Sequence, residues 1–101
     1  MVDPTHRVLT GYLLDETVTL TLAEISGACR VREERIIELV EEGIIEPERQ
    51  QRDWCFPATQ LRRAHRAIRL QHDLEINLAG VAMVLDLLDE LEELRARFAG
   101  M

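Results

Sequence analysis

The sequence contains no lysine, and all twelve of its cationic side chains are arginine, which reads as compositional bias. Aromatics are scarce at 4%. The two cysteines, Cys29 and Cys55, lie far apart and form no ligand-spaced pair, so they are expected to be small buried hydrophobes or inert thiols. A bilayer-spanning helix needs about 20 consecutive apolar residues, and no run approaches that length. The opening stretch MVDPTHRVLTGYLLDE has no basic region followed by an apolar core and a cleavage site, so a cytoplasmic location is expected. A glycine-rich phosphate loop, a nucleophile elbow and an HExxH pair are all missing. His6, His65 and His72 sit among polar residues without metal-ligand spacing. No enzyme activity, cofactor or metal is therefore expected.

What is present suits one modest domain. The chain has 101 residues, of which 47% are apolar, enough for a single small core and too many for wholesale disorder. Net charge is −7, which argues against a free-standing nucleic-acid binder. The charge is also segregated. Residues 15–48 carry ten acids against three arginines, residues 49–72 one acid against six arginines, and residues 73–101 seven acids against two arginines. A basic island thus lies between two acidic blocks.

Periodicity places four helices and a short β ribbon. Val18, Leu20 and Leu22 alternate with threonines in a brief strand-like pattern. Thr21 followed by Glu24 predicts a capping box and a helix running to about Cys29, with Leu22, Ile25 and Ala28 inward. A second helix is expected over about 32–42. Ile36, Leu39 and Val40 share its inner face, and Gly43 falls where a left-handed residue would end it. Ile44 and Ile45 return to the core, and Pro47 prevents the helix resuming. Residues 48–57, ERQQRDWCFP, read as a ribbon or wing with Trp54 and Phe56 on one face. A third helix follows Pro57 and reaches about Asp73, with Leu61, Ala64, Ile68 and Leu70 inward. Asn77 is expected to cap a fourth helix that runs to about Arg97.

Three constellations carry the functional argument. On the second helix, Glu34, Glu38, Glu41 and Glu42 fall opposite the core stripe, at about 100° per residue. They form either a solvated face or a docking face for a basic partner. Ile37, at the edge of the core stripe, supplies the apolar anchor that the docking reading wants. On the third helix Arg62, Arg66 and Arg69 recur at helical spacing, with Arg63 nearby and Arg49 and Arg52 in the wing. They either contact phosphates or pair with the abundant acids. On the fourth helix Val81, Val84, Leu88, Leu91, Arg95 and Phe98 follow heptad spacing, with Leu85, Leu87 and Leu94 widening the apolar surface. That surface exceeds what one small domain covers, so a homodimer through this helix is expected.

The order VTLTLAEI (18–25), LVEEGIIEP (39–47), WCF (54–56) and RAIRLQHDLEINLAGVAMVLDLLDEL (66–91) resembles the winged helix-turn-helix of MerR regulators. It resembles more closely the CbpM family of chaperone modulators. The resemblance covers about residues 18–98 and implies a mainly α fold. That fold is a MerR-like helix-turn-helix with a short β wing, followed by two further helices, the last a dimerisation helix. It divides the chain into a leader (1–16), a winged helix-turn-helix domain (17–75) and a C-terminal dimerisation helix (76–101). MerR-type DNA readers commonly keep an Arg-Tyr-Tyr run six to four residues before the glycine. Counted back from Gly43, those positions hold Ile37, Glu38 and Leu39.

That departure turns the reading from DNA to protein. CbpM-like proteins bind the J-domain of CbpA, a DnaJ-type co-chaperone, and block its work with the chaperone DnaK. J-domains present a basic second helix, which an acidic helix with an apolar edge residue would complement. Glu34, Ile37, Glu38 and Glu41 are therefore the expected partner-binding residues. Val81, Val84, Leu88, Leu91 and Phe98 are the expected dimer interface. The alternative is a MerR-like transcriptional regulator that uses Arg62, Arg66 and Arg69 on DNA.

Overall fold

The computed structural model describes residues 18–50 and 53–100, with the side chains of residues 49 and 50 left aside. The leader 1–16 and Arg52 lie outside the described residues, as does the side chain of Arg49. In chain order the elements are β1 (Thr19–Thr21), α1 (Leu22–Cys29), α2 (Glu33–Glu41), β2 (Glu48–Gln50), β3 (Asp53–Pro57), α3 (Thr59–Leu74) and α4 (Leu78–Ala99). The mainly α fold with a small β wing is the one the sequence pattern implies.

The entry to α1 is fixed by reciprocal capping. Thr21 Oγ1 accepts from the Glu24 amide at 3.1 Å, and Glu24 Oε1 accepts from the Thr21 amide at 3.0 Å. The helix buries Ile25 as expected, with Leu22 and Ala28 packed at the edge of the core, and its inner face extends further to the buried Ser26 and Cys29. Ser26 is tolerated inside because its hydroxyl donates to the Ala23 carbonyl at 3.0 Å, so the buried oxygen keeps a partner. Cys29 is buried in the core as a small hydrophobe, as expected. Arg30 closes α1 at φ 57°, a left-handed conformation normally left to glycine.

Gly43 ends α2 at φ +72°, as its position predicts. Its amide donates to the Val40 carbonyl at 2.9 Å, and the Ile44 amide donates to the Leu39 carbonyl at 2.9 Å. This is the double bond of a Schellman turn, with both Leu39 and Ile44 buried beneath it. The turn therefore both stops the helix and folds Ile44 and Ile45 back into the core.

The sheet is antiparallel with strand order β1-β3-β2. Leu20 lies opposite Phe56, and the Trp54 backbone pairs with position 49. The strand-like threonine run before α1 is thus the third strand of the wing. Trp54 meets Phe56 edge-on, with ring centroids 6.2 Å apart, so both rings share one face of β3. Phe56 is fully buried among Leu20, Ile25, Ile36, Leu39, Ile45 and Leu61.

Helix α3 packs against this head, and α4 packs on α3. α3 buries Leu61, Ala64 and Ala67; Ile68 and Leu70 only border the core. The two alanines allow close approach, and Val81 and Leu85 of α4 join the same core. Asn77 caps α4, its side-chain oxygen accepting from the Gly80 amide at 2.8 Å. From Asp89 onward every residue of α4 is exposed, so this half of the helix runs past the core.

Candidate protein-docking surfaces

The acidic face of α2 is built as its periodicity requires. Glu34, Glu38 and Glu41 are exposed, Ile36 and Leu39 are buried, and Ile37 is half-buried between the two sets. The three glutamates are not equivalent. Arg35 Nη1 donates to Glu38 Oε2 at 3.1 Å, so Glu38 is already partly neutralised. The same guanidinium reaches Gln71 of α3 through Nη2, tying α2 to the helix behind it. Glu34 and Glu41 make no ion pair with any described residue. They stand one turn before and one turn after Ile37.

Beside this face lies an open groove of about 510 Å³. Its walls are Leu22 and Ala23 at the start of α1, Ile37 of α2, and Asp53, Trp54 and Cys55 of β3. The groove lining is mainly hydrocarbon, and Asp53 adds a further exposed carboxylate at the wing end. Sequence reasoning found Ile37 but missed the groove. Trp54 and Ala23 are far from Ile37 along the chain, and only the folding of the wing onto α1 brings them together.

The arginine row of α3 is largely spent inside the fold. Arg66 Nη1 donates to Glu92 of α4 at 3.4 Å, and Arg69 pairs with Asp73 one turn on at 3.8 Å. Arg62 alone of the three makes no ion pair with a described residue. The residue that matters most here is Arg63. Its Nε donates to the buried Ile44 carbonyl at 2.7 Å, its Nη1 to Asp89 Oδ2 at 3.0 Å, and its Nη2 lies 3.6 Å from Asp86. One planar guanidinium therefore pins the turn after α2 and helix α4 together. A duplex approaching this row would meet Asp86, Asp89 and Glu92 among the arginines, and their carboxylates repel phosphate.

On α4 the expected dimer residues divide. Val81 is fully buried within its own chain, and Val84 and Leu88 are half-buried, whereas Leu91 is 42% and Phe98 71% exposed. Met83 (65%), Leu87 (59%) and Leu94 (48%) are exposed with them. Spacing of 4, 4, 3 and 4 places Met83, Leu87, Leu91, Leu94 and Phe98 on one stripe. At about 100° per residue this stripe is centred roughly 140° around the helix from Val81 and Leu85. The 3.5-residue heptad seam straddles the two faces because a straight helix drifts about 20° per heptad from it. The first turns of the seam are claimed by α3, and its later part joins the exposed stripe.

Among the described residues no three His, Cys, Asp or Glu side chains cluster to hold a metal ion. No helix among the described residues is long and apolar enough to cross a membrane.

The sequence is similar to known proteins along most of its length. The model of the MerR HTH family regulatory proteins matches residues 20–101. A chaperone modulatory protein CbpM from Coxiella burnetii is 40% identical over 94 residues, covering 92% of this chain and 89% of that one. The CbpM protein of Pseudomonas putida is 38% identical over 80 residues, covering 78% and 79% of the two chains. That of Escherichia coli is 35% identical over 80 residues, covering 78% of this chain and 79% of that one. These relatives are named as chaperone modulators and family regulators, not as enzymes. With the family model matching residues 20–101 and identities of 35–40% over 78–92% of its length, the chain belongs to the CbpM chaperone-modulator family, built on the MerR-type fold.

Proposed function

We propose that this protein is a chaperone modulator that binds the J-domain of a CbpA/DnaJ-type co-chaperone and blocks its cooperation with DnaK. The observation that carries the reading is the outer face of α2. Glu34, Glu38 and Glu41 are exposed beside half-buried Ile37, at and around the positions where a MerR-type reader keeps its arginine and tyrosines. The second helix of a J-domain is basic and docks on DnaK. An acidic partner bound there excludes DnaK by occupancy. Complementary charge speeds encounter and selects the partner, while the apolar residue supplies burial.

Dimerisation belongs to the same proposal. The exposed stripe of α4, from Met83 to Phe98, presents apolar side chains to solvent along four turns, and a second copy of the helix would cover them. The protein then works as a cytoplasmic homodimer with two outward-facing α2 helices.

The test is a pair of titrations at physiological salt, one with a purified J-domain and one with duplex DNA. The J-domain is expected to bind saturably and the duplex not to bind. Replacing both Glu34→Arg and Glu41→Arg should weaken J-domain binding at least tenfold, about 1.4 kcal/mol, with the circular dichroism spectrum unchanged. Salt-sensitive binding to DNA with no affinity for the J-domain would instead support the regulator reading, in which Arg62, Arg66 and Arg69 face phosphate.

A further inference from the structure

We propose that the groove between the start of α1, Ile37 and the wing is the seat for the apolar side chains of a basic amphipathic helix. The inference rests on the J-domain reading and names where on this chain the partner's hydrocarbon goes. An acidic helix face alone gives weak, screened attraction, because exposed ion pairs contribute little. A partner bound firmly enough to exclude a competitor needs buried contact as well. The groove lies against the same stretch of α2 that carries the free carboxylates.

Three features fit one occupant. The groove volume of about 510 Å³ falls in the range of roughly 300–1,000 Å³ typical of concave binding sites, so it takes more than one side chain. Leu22, Ala23, Ile37 and Trp54 supply most of its apolar lining, and Asp53 is the one charged residue among the lining residues. The charge around it is anionic: exposed Asp53 is part of the lining, and exposed Glu34 and Glu41 stand one turn either side of the lining residue Ile37 on α2. On a helix laid along the groove, apolar residues at i and i+3 or i+4 enter it. Lysines or arginines one turn away face the carboxylates. Charge complementarity thus selects a cationic helix over a neutral ligand or an anionic one.

Trp54 makes the proposal directly testable, because it is the only tryptophan in the chain and lines the groove. The full-length protein is labelled with 5-fluorotryptophan and followed by fluorine NMR while unlabelled J-domain is added. The single Trp54 resonance is expected to shift and saturate at the same J-domain concentration as the binding isotherm. A second arm fills the groove. Ala23 is exposed on the first turn of α1, so Ala23→Phe should keep the fold, checked by its melting curve. Its affinity for the J-domain is expected to fall at least tenfold. If the wild-type protein binds the J-domain, but the Trp54 resonance stays fixed and Ala23→Phe binds normally, the groove assignment is overturned and the functional proposal stands. If the wild-type protein fails to bind the J-domain at all, both fall. A Trp54 shift with an anionic or neutral helical peptide as large as that with the J-domain would likewise overturn the cationic occupant.

Discussion

Replacing Arg63 with alanine should destabilise this protein more than any other substitution in its arginine row. The Nε–Ile44 bond joins a charged donor to a buried carbonyl at 2.7 Å, and the Arg63 side chain is 27% exposed. A hydrogen bond of this kind contributes about 1.5–3 kcal/mol, and its loss strands the carbonyl. The carboxylate partners are more solvated: Asp89 is 54% and Asp86 76% exposed, so their ion pairs add little. Exposed pairs of this type contribute about 0–1 kcal/mol each. The expected cost of Arg63→Ala is therefore about 2–3 kcal/mol, a fall in Tm on the order of 10–20 °C for a domain of this size. Urea titrations at one fixed protein concentration would measure it, since the proposed dimer would make stability depend on concentration. Asp89→Asn should cost less than about 1 kcal/mol, and Arg63→Lys should recover less than half of the loss, because an ammonium cannot copy the planar fork. A cost below about 0.5 kcal/mol for Arg63→Ala would refute the reasoning. A loss for Asp89→Asn equal to that for Arg63→Ala would show that the ion pair, not the carbonyl bond, holds α4 in place.

Two further predictions follow from the backbone and the last helix. Gly43→Ala should cost about 1–2 kcal/mol in the same titration, because φ is +72° while an added Cβ would touch nothing within 4 Å, so the penalty is conformational alone. Replacing both Leu91→Glu and Leu94→Glu should give a monomer by sedimentation with its helix content retained, since both side chains are exposed within the single chain. A dimer that persists in that variant would place the subunit contact away from the α4 stripe.

The two candidate surfaces of the sequence were legible to different degrees. The glutamates of α2 and the edge position of Ile37 follow from helical spacing, and the structure leaves all of them at the surface. The arginine row was ambiguous in sequence because a cation three or four positions from another says nothing about what lies across the helix. Packing of α4 settled much of it by bringing Asp86, Asp89 and Glu92 to Arg63 and Arg66. On α1 the expected Leu22, Ile25 and Ala28 all meet the core, but Ser26 and Cys29 were missed because they are weak hydrophobic signals. Burial of Ser26 depends on a bond to its own helix backbone, which hydrophobic patterning does not register.

By itself, the sequence determined what local chemistry can decide. The Thr21–Glu24 capping box, the Asn77 cap and the Gly43 turn each act within a few residues, and the periodicity of α2 divides its acidic face from its apolar one. Tertiary structure decided which apolar face of α4 is consumed by α3 and which remains as the Met83–Phe98 stripe. It also made Arg63 a clamp on the Ile44 carbonyl and assembled a groove from α1, α2 and the wing. The physical reason is separation along the chain: hydrogen bonds at caps and turns close over three or four residues. Burial and charge pairing between distant segments depend instead on how whole elements cross, and no local pattern encodes that.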